Sequence, residues 1–143
     1  MKLTTADEQL LSVLRENARA STAEIARQLR LSRTTVQSRI DRLERQGVIT
    51  GYTVRVGDDY ERGRIRAHIL VTVLPKQMPS VVAALRAMPE VRSLHSVSGA
   101  WDLIAMGVAP SVGEMDELTD RIGSIEGVER TTSSIILSTK FER

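Results

Sequence analysis

Six arginines, Arg27, Arg30, Arg33, Arg39, Arg42 and Arg45, stand in one short stretch whose only counter-charges are Asp41 and Glu44. A guanidinium is a planar, permanently charged fork of donors, suited to phosphate and to the O6/N7 edge of guanine. Hydroxyl and amide side chains accompany them: Ser21, Ser32, Thr34, Thr35, Gln37 and Ser38. Gln37 matches the N6/N7 edge of adenine, and Thr34 can donate to a base acceptor or touch a thymine methyl. The set points to double-stranded DNA. Arg33, Thr34 and Gln37 are expected at the bases, with Thr35 and Ser38 in the same contact set. Arg27, Arg30, Arg39 and Arg42 are expected on phosphates, which position a protein without reading sequence. Ser21 and Ser32 fall at helix starts, where backbone amides also favour phosphate.

Other chemistry finds little support. The chain has no cysteine, so disulfides and thiolate metal sites are excluded. The two histidines, His68 and His95, lack a metal-spaced partner. No G-x-S-x-G, Walker or G-x-G-x-x-G motif occurs. Glu114, Asp116, Glu117 and Asp120 cluster, but on the polar face of an amphipathic helix, where solvation explains them. An enzyme is therefore not expected, and no catalytic residue, metal or cofactor is assigned. The opening MKLTTADEQ lacks the apolar stretch of a signal peptide, and no apolar run is long enough for a membrane span. A cytoplasmic, nucleoid-associated protein without a membrane partner is expected.

The arginines need elements to hold them. Thr5 and Glu8 read as a capping box opening a helix over Thr5 to Asn17, with Leu10, Leu11 and Leu14 on one face. Ser21 and Glu24 repeat the signature for a short helix that buries Ile25, Ala26 and Leu29. Ser32 caps a third, in which Val36, Ile40 and Leu43 recur at helical spacing until Gly47. So tight a connection makes a helix-turn-helix. Many such turns carry glycine, and here Arg30 stands in its place. A left-handed non-glycine residue costs about 1–2 kcal/mol, so either the turn avoids that conformation or Arg30 is kept for phosphate. Residues 1–50 read as this domain. Gly51 to Val56 is expected as a strand, and Gly57 to Gly63 as a polar linker, so 51–63 forms the hinge.

The remainder, 64–143, is patterned differently. From Ala67 onward seven Lys+Arg face nine Asp+Glu, although the whole chain has a net charge of +2. Such asymmetry suggests different partners for the two parts. Alternation from Arg64 to Val73 predicts a strand ended by Pro75. Pro79 to Met88 reads as a helix, Val91 to Ser98 and Trp101 to Val108 as strands joined by a tight turn at Gly99-Ala100, and Ser111 to Ile125 as a helix burying Val112, Met115, Leu118, Ile122 and Ile125. Val128 to Thr139 is the last strand. The order, strand-helix-strand-strand-helix-strand, fits a ferredoxin-like α+β sandwich. Both helices then cover one sheet face. The other, with Leu70 and Leu94, is expected to pair subunits.

These residues together resemble the Lrp/AsnC, or feast/famine, family of transcription regulators. The resemblance runs from Asp7…Leu10-Leu11…Leu14 through Ile25-Ala26…Leu29…Leu31-Ser32 and Val36…Arg39-Ile40…Leu43-Glu44-Arg45-Gln46-Gly47-Val48-Ile49…Gly51-Tyr52 to Val97-Ser98-Gly99-Ala100-Trp101-Asp102. It implies an N-terminal winged helix-turn-helix followed by a ferredoxin-like βαββαβ (RAM) domain. It implies a sequence-specific regulator whose dimers assemble further, up to octamers, and respond to a small effector such as an amino acid. By the same resemblance, Ser98, Gly99, Ala100, Trp101 and Asp102 form the effector turn, and Ser96, Val112 and Ser134 influence the response. Ala100 stands where a relative has a polar residue. A nonspecific DNA compactor is the alternative, separated from a local regulator by sequence preference.

Overall fold

The computed structural model describes residues 2–142. They form two compact units, one ending at Val56 and the other beginning at Gly57.

The first unit is three helices: α1 (Thr5–Glu16), α2 (Thr22–Leu29) and α3 (Arg33–Arg45). Leu10, Val13, Leu14, Ile25, Ala26, Val36 and Leu43 make its core, with Leu3, Leu11, Leu29, Leu31, Ile40, Val48 and Ile49 packed around them. The first capping box is one residue earlier than expected. Thr4 caps α1: its Oγ1 accepts from the Asp7 N–H at 3.1 Å, and Asp7 Oδ2 accepts from the Thr4 N–H at 3.1 Å. Asp7 also meets Arg42 of α3, a partner that the Thr5/Glu8 pair does not have. Gly47 ends α3 at φ +70, a left-handed conformation that glycine adopts without steric cost. Gly51 to Val56 is not a strand. It is exposed, and no neighbouring backbone offers it a ladder. Tyr52 holds its start by donating to Glu44 Oε1 at 2.7 Å.

The second unit starts with a single helical turn, α4 (Asp58–Glu61), where an irregular linker was expected. Then follow β1 (Ile65–Val73), a 3-10 turn at Pro75–Gln77, α5 (Met78–Arg86), β2 (Val91–Ser96), β3 (Leu103–Ala109), α6 (Val112–Gly123) and β4 (Val128–Ile135). The sheet is antiparallel with order β2-β3-β1-β4, as the strand-helix-strand repeat requires. Ala67, Ile69 and Val71 of β1 and Leu103 and Ala105 of β3 point to one face, where Val81 and Leu85 of α5 and Met115, Leu118 and Ile122 of α6 bury them. Gly107 on that face lets Leu118 and Met115 approach: a Cβ there would meet Leu118 Cδ2 at 3.0 Å. Val112, expected in this core, is instead exposed in the first turn of α6.

Leu94 also departs from expectation. Alternation from Val91 places it on the open face, but β2 carries a bulge between Val91 and Ser93. The extra residue inverts the alternation. Leu94 thus pairs with Ala105 and packs into the helix-covered core. Leu70, Ile104 and Met106 remain half-buried on the open face, flanked by His68 and His95.

Candidate nucleic-acid interface

Two capped helices frame the arginine set. Ser21 is the N-cap of α2. Its Oγ accepts from the Glu24 N–H at 3.1 Å, and Glu24 Oε2 accepts from the Ser21 N–H at 3.3 Å. Arg30 closes α2 at φ 57, ψ 47, so the turn adopts the costly conformation and Arg30 bears it. Its N–H bonds Ala26 O, and the Leu31 N–H bonds the same carbonyl at 2.9 Å. Ser32 then caps α3, its Oγ accepting from the Thr35 N–H at 3.1 Å. The Ser32 and Thr35 hydroxyls lie 2.7 Å apart, so they serve each other first. Thr35, expected as a contact residue, is half-buried by that pairing.

Arg33, Thr34, Gln37 and Ser38 are all exposed. With Thr22, Asp41 and Arg45 they line an open concavity of about 520 Å³. The first turns of α1 and α2 hold acids, Asp7 with Glu8 and Glu24, whereas that of α3 holds none. The positive end of the α3 dipole is thus left uncompensated by acids, beside Arg33. Arg27 and Arg30 are exposed at the turn, and Arg27 with Arg33 borders a second hollow beside Ser32.

Two arginines of the expected phosphate set turn inward. Arg42 Nη2 donates to Asp7 Oδ1, so this guanidinium ties α3 to α1 rather than standing free for phosphate. Arg39 is half-buried, with Nη1 shut off from solvent and unbonded. Both cations face Asp7, which is 3% exposed and is the buried charged residue among the described residues of the unit. The Thr4 N–H holds the Asp7 carboxylate below its ordinary pKa, with burial opposing and the Thr4 hydroxyl, Arg42 and Arg39 assisting. The residue reading missed Asp7 as a structural hub. A T-x-x-D pattern beginning at Thr4 was its only local signal.

In the second unit the expected effector residues separate. Ser96 ends β2, and Ser98, Gly99, Ala100, Trp101 and Asp102 follow it on the β2–β3 connection. This is a six-residue loop rather than a tight turn, closed by the Val97 N–H to Asp102 O at 3.0 Å, with Gly99 at φ +98. Asp102 is occupied internally: its N–H donates to Val71 O at 2.9 Å, and its Oδ2 accepts from the Val73 N–H at 2.8 Å. The Arg130 guanidinium lies 4.9 Å over the Trp101 ring. Ser134 stands on β4 opposite His68. Val112 lies past the far end of β3, roughly 20 Å away at the rise of a strand. One chain does not bring these three places together. Among the described residues no group of three His, Asp or Glu could hold a metal, and no helix is long and apolar enough to cross a membrane.

A capped, arginine-bearing helix-turn-helix followed by a ferredoxin-like sheet defines a two-part protein, one part for DNA and one for a ligand or a partner. Residues 3–50 match the winged helix-turn-helix DNA-binding family, and residues 66–143 match the Lrp/AsnC ligand binding domain. The chain belongs to the Lrp/AsnC family of transcriptional regulators. It is 34% identical to the regulator LrpA of Mycobacterium tuberculosis over 136 residues, covering 94% of this chain and 90% of LrpA. It is 31% identical to LysM of Saccharolobus solfataricus over 137 residues, 94% of each chain. The LrpA crystal structure superposes with a TM-score of 0.83 at 33% identity, over 98% of this chain and 96% of that one. A Neisseria meningitidis regulator solved with L-methionine shares the fold at TM-score 0.90 and 24% identity, over 99% and 94% of the two chains. These relatives are helix-turn-helix transcriptional regulators, not enzymes, and this chain is a DNA-binding regulator with a ligand-binding domain.

Proposed function

We propose that α3 lies in the major groove of an operator, with Arg33, Thr34 and Gln37 reading bases and Arg27 and Arg30 on flanking phosphates. The observation that carries this reading is the outward, acid-free start of α3 with Arg33, Thr34 and Gln37 exposed on one face. Ser38 and the N-terminal amides beside Ser21 and Ser32 complete the contact surface. Arg39 and Arg42 serve instead to seat α3 on Asp7. The apolar open sheet face pairs two chains, and dimers assemble further, up to an octamer. A small amino acid binds near the Ser98–Asp102 loop. The separation of that loop from Val112 and Ser134 in one chain favours a site completed by a second one.

Selection of bound fragments from random DNA tests the reading. Arg33→Ala is expected to relax preference at one position of each half-site, at about 1–3 kcal/mol. An unchanged selected sequence would remove Arg33 from the base-reading set. Affinity is expected to fall with salt at a slope of about −0.9 per phosphate contact, and equal binding to scrambled DNA would favour a compactor. For the effector, a thermal-shift screen begins with L-methionine, the ligand of the Neisseria structure, and runs through the twenty amino acids. No shift with any of them would defeat an amino-acid effector. A monomer in sedimentation at micromolar concentration would defeat pairing through the sheet.

A further inference from the structure

The base-facing side of α3 carries an acid with no electrostatic reason to approach DNA. Asp41 is exposed and lines the same concavity as Arg33, Thr34, Gln37 and Ser38. A carboxylate beside phosphates is repelled, and no ion pair among the described residues neutralises this one. Its side chain is bonded to a base-reading candidate: Gln37 Nε2 donates to Asp41 Oδ1 at 2.8 Å, one helical turn away.

An ionised carboxylate only accepts, while an amide has a donor end and an acceptor end. Asp41 therefore admits one of the two amide orientations. In the reverse, Gln37 Oε1 would face Asp41 Oδ1 with no proton between them. We infer that Asp41 is a positioning residue for sequence recognition: it sets the Gln37 amide in a single orientation and so makes that position select adenine. The inference rests on the reading of Gln37 given above. With one Nε2 hydrogen on Asp41, the amide still has one donor hydrogen and the carbonyl acceptor. Adenine needs a donor for N7 and an acceptor for its N6 amine. An amide free to turn over also offers the two groups in the opposite order, which sets donor against donor at N6. Asp41 removes that second state.

The test uses the whole protein and competition among four duplexes that differ at one base pair, the pair whose preference Gln37→Ala abolishes. Asp41→Asn is nearly isosteric but can donate as well as accept, so it holds either amide orientation. Its preference for adenine over the other bases is expected to fall about two- to tenfold, the range of one net hydrogen bond. Asp41→Glu, which keeps an acceptor-only group, is expected to retain most of the preference. Loss of a negative charge also tightens binding of Asp41→Asn to all four duplexes evenly. That even rise with an unchanged adenine ratio would overturn the inference while leaving Gln37 as a reader. Equal loss of the ratio in Asp41→Glu would overturn it too. If Gln37→Ala alters no position, the reading of Gln37 fails and the inference with it. Asp41 is exposed, so all these variants keep the packed core of the unit.

Discussion

The outward face of α3 and the Ser98–Asp102 loop both offer contact surfaces, but they dispose of their polar groups in opposite ways. On α3, Arg33, Thr34 and Ser38 are exposed and point outward, and the burial of Val36 and Leu43 fixes the helix from behind. In the loop, Asp102 is bonded to Val71 and Val73 of β1, and Trp101 lies under Arg130. A helix supplies its own backbone bonds, so its side chains are free to meet a partner. The loop instead lends a side chain to its neighbour, for the Asp102 carboxylate satisfies a backbone N–H of β1. The first surface is complete in one chain. The second has its polar groups largely engaged within the sheet unit.

The largest expected effect falls behind α3. Asp7→Ala removes both the return bond of the α1 capping box and the partner of Arg42, and is expected to destabilise the N-terminal unit by about 2–3 kcal/mol in chemical denaturation. The same carboxylate has a depressed pKa, so its contribution is present above the ordinary value near 3.8 and is lost as pH falls through the lower folded value. A stability–pH curve of Asp7→Ala that kept this acid-side loss would assign it to another group. Next is the loop. Asp102→Ala leaves the Val73 N–H without its acceptor and is expected to lower the stability of the sheet unit by about 1–2 kcal/mol, with Asp102→Asn costing less. A free ligand-binding role would predict the reverse: unchanged stability and lost effector response. The smallest effect belongs to Arg30. Arg30→Gly relieves the left-handed strain but loosens the unfolded chain, so stability is expected to rise by less than about 1 kcal/mol. The salt slope of DNA binding is expected to shrink by about one contact in the same variant. A full slope would mean that Arg30 touches no phosphate.

What could be read from the residues follows the range over which they act. Val36, Ile40 and Leu43 declare α3 by spacing alone, and Ser21 with Glu24 declares its neighbour, because these signals lie within one helical turn. Thr4 and Thr5 look alike locally, and Arg42 across the core decides between them. Leu94 changed faces because a single bulge residue at the start of β2 shifts the alternation, and nothing in V-R-S-L-H-S marks it. Gly51 to Val56 has strand-forming residues, but a strand needs a neighbour and this chain provides none there. Arg39 and Arg42 have the same charge as Arg33, and only the placement of Asp7 separates inward from outward.

The sheet order has a consequence for synthesis. β1 is a central strand, yet its second neighbour, β4, is the last of the four strands to be made, with Ala67 waiting for Ile135. A chain interrupted before Val128 would expose the apolar β1 as a raw edge, able to template strand addition by another unfinished copy. The DNA-binding helices, made first and packed among themselves, would already be folded on that incomplete chain.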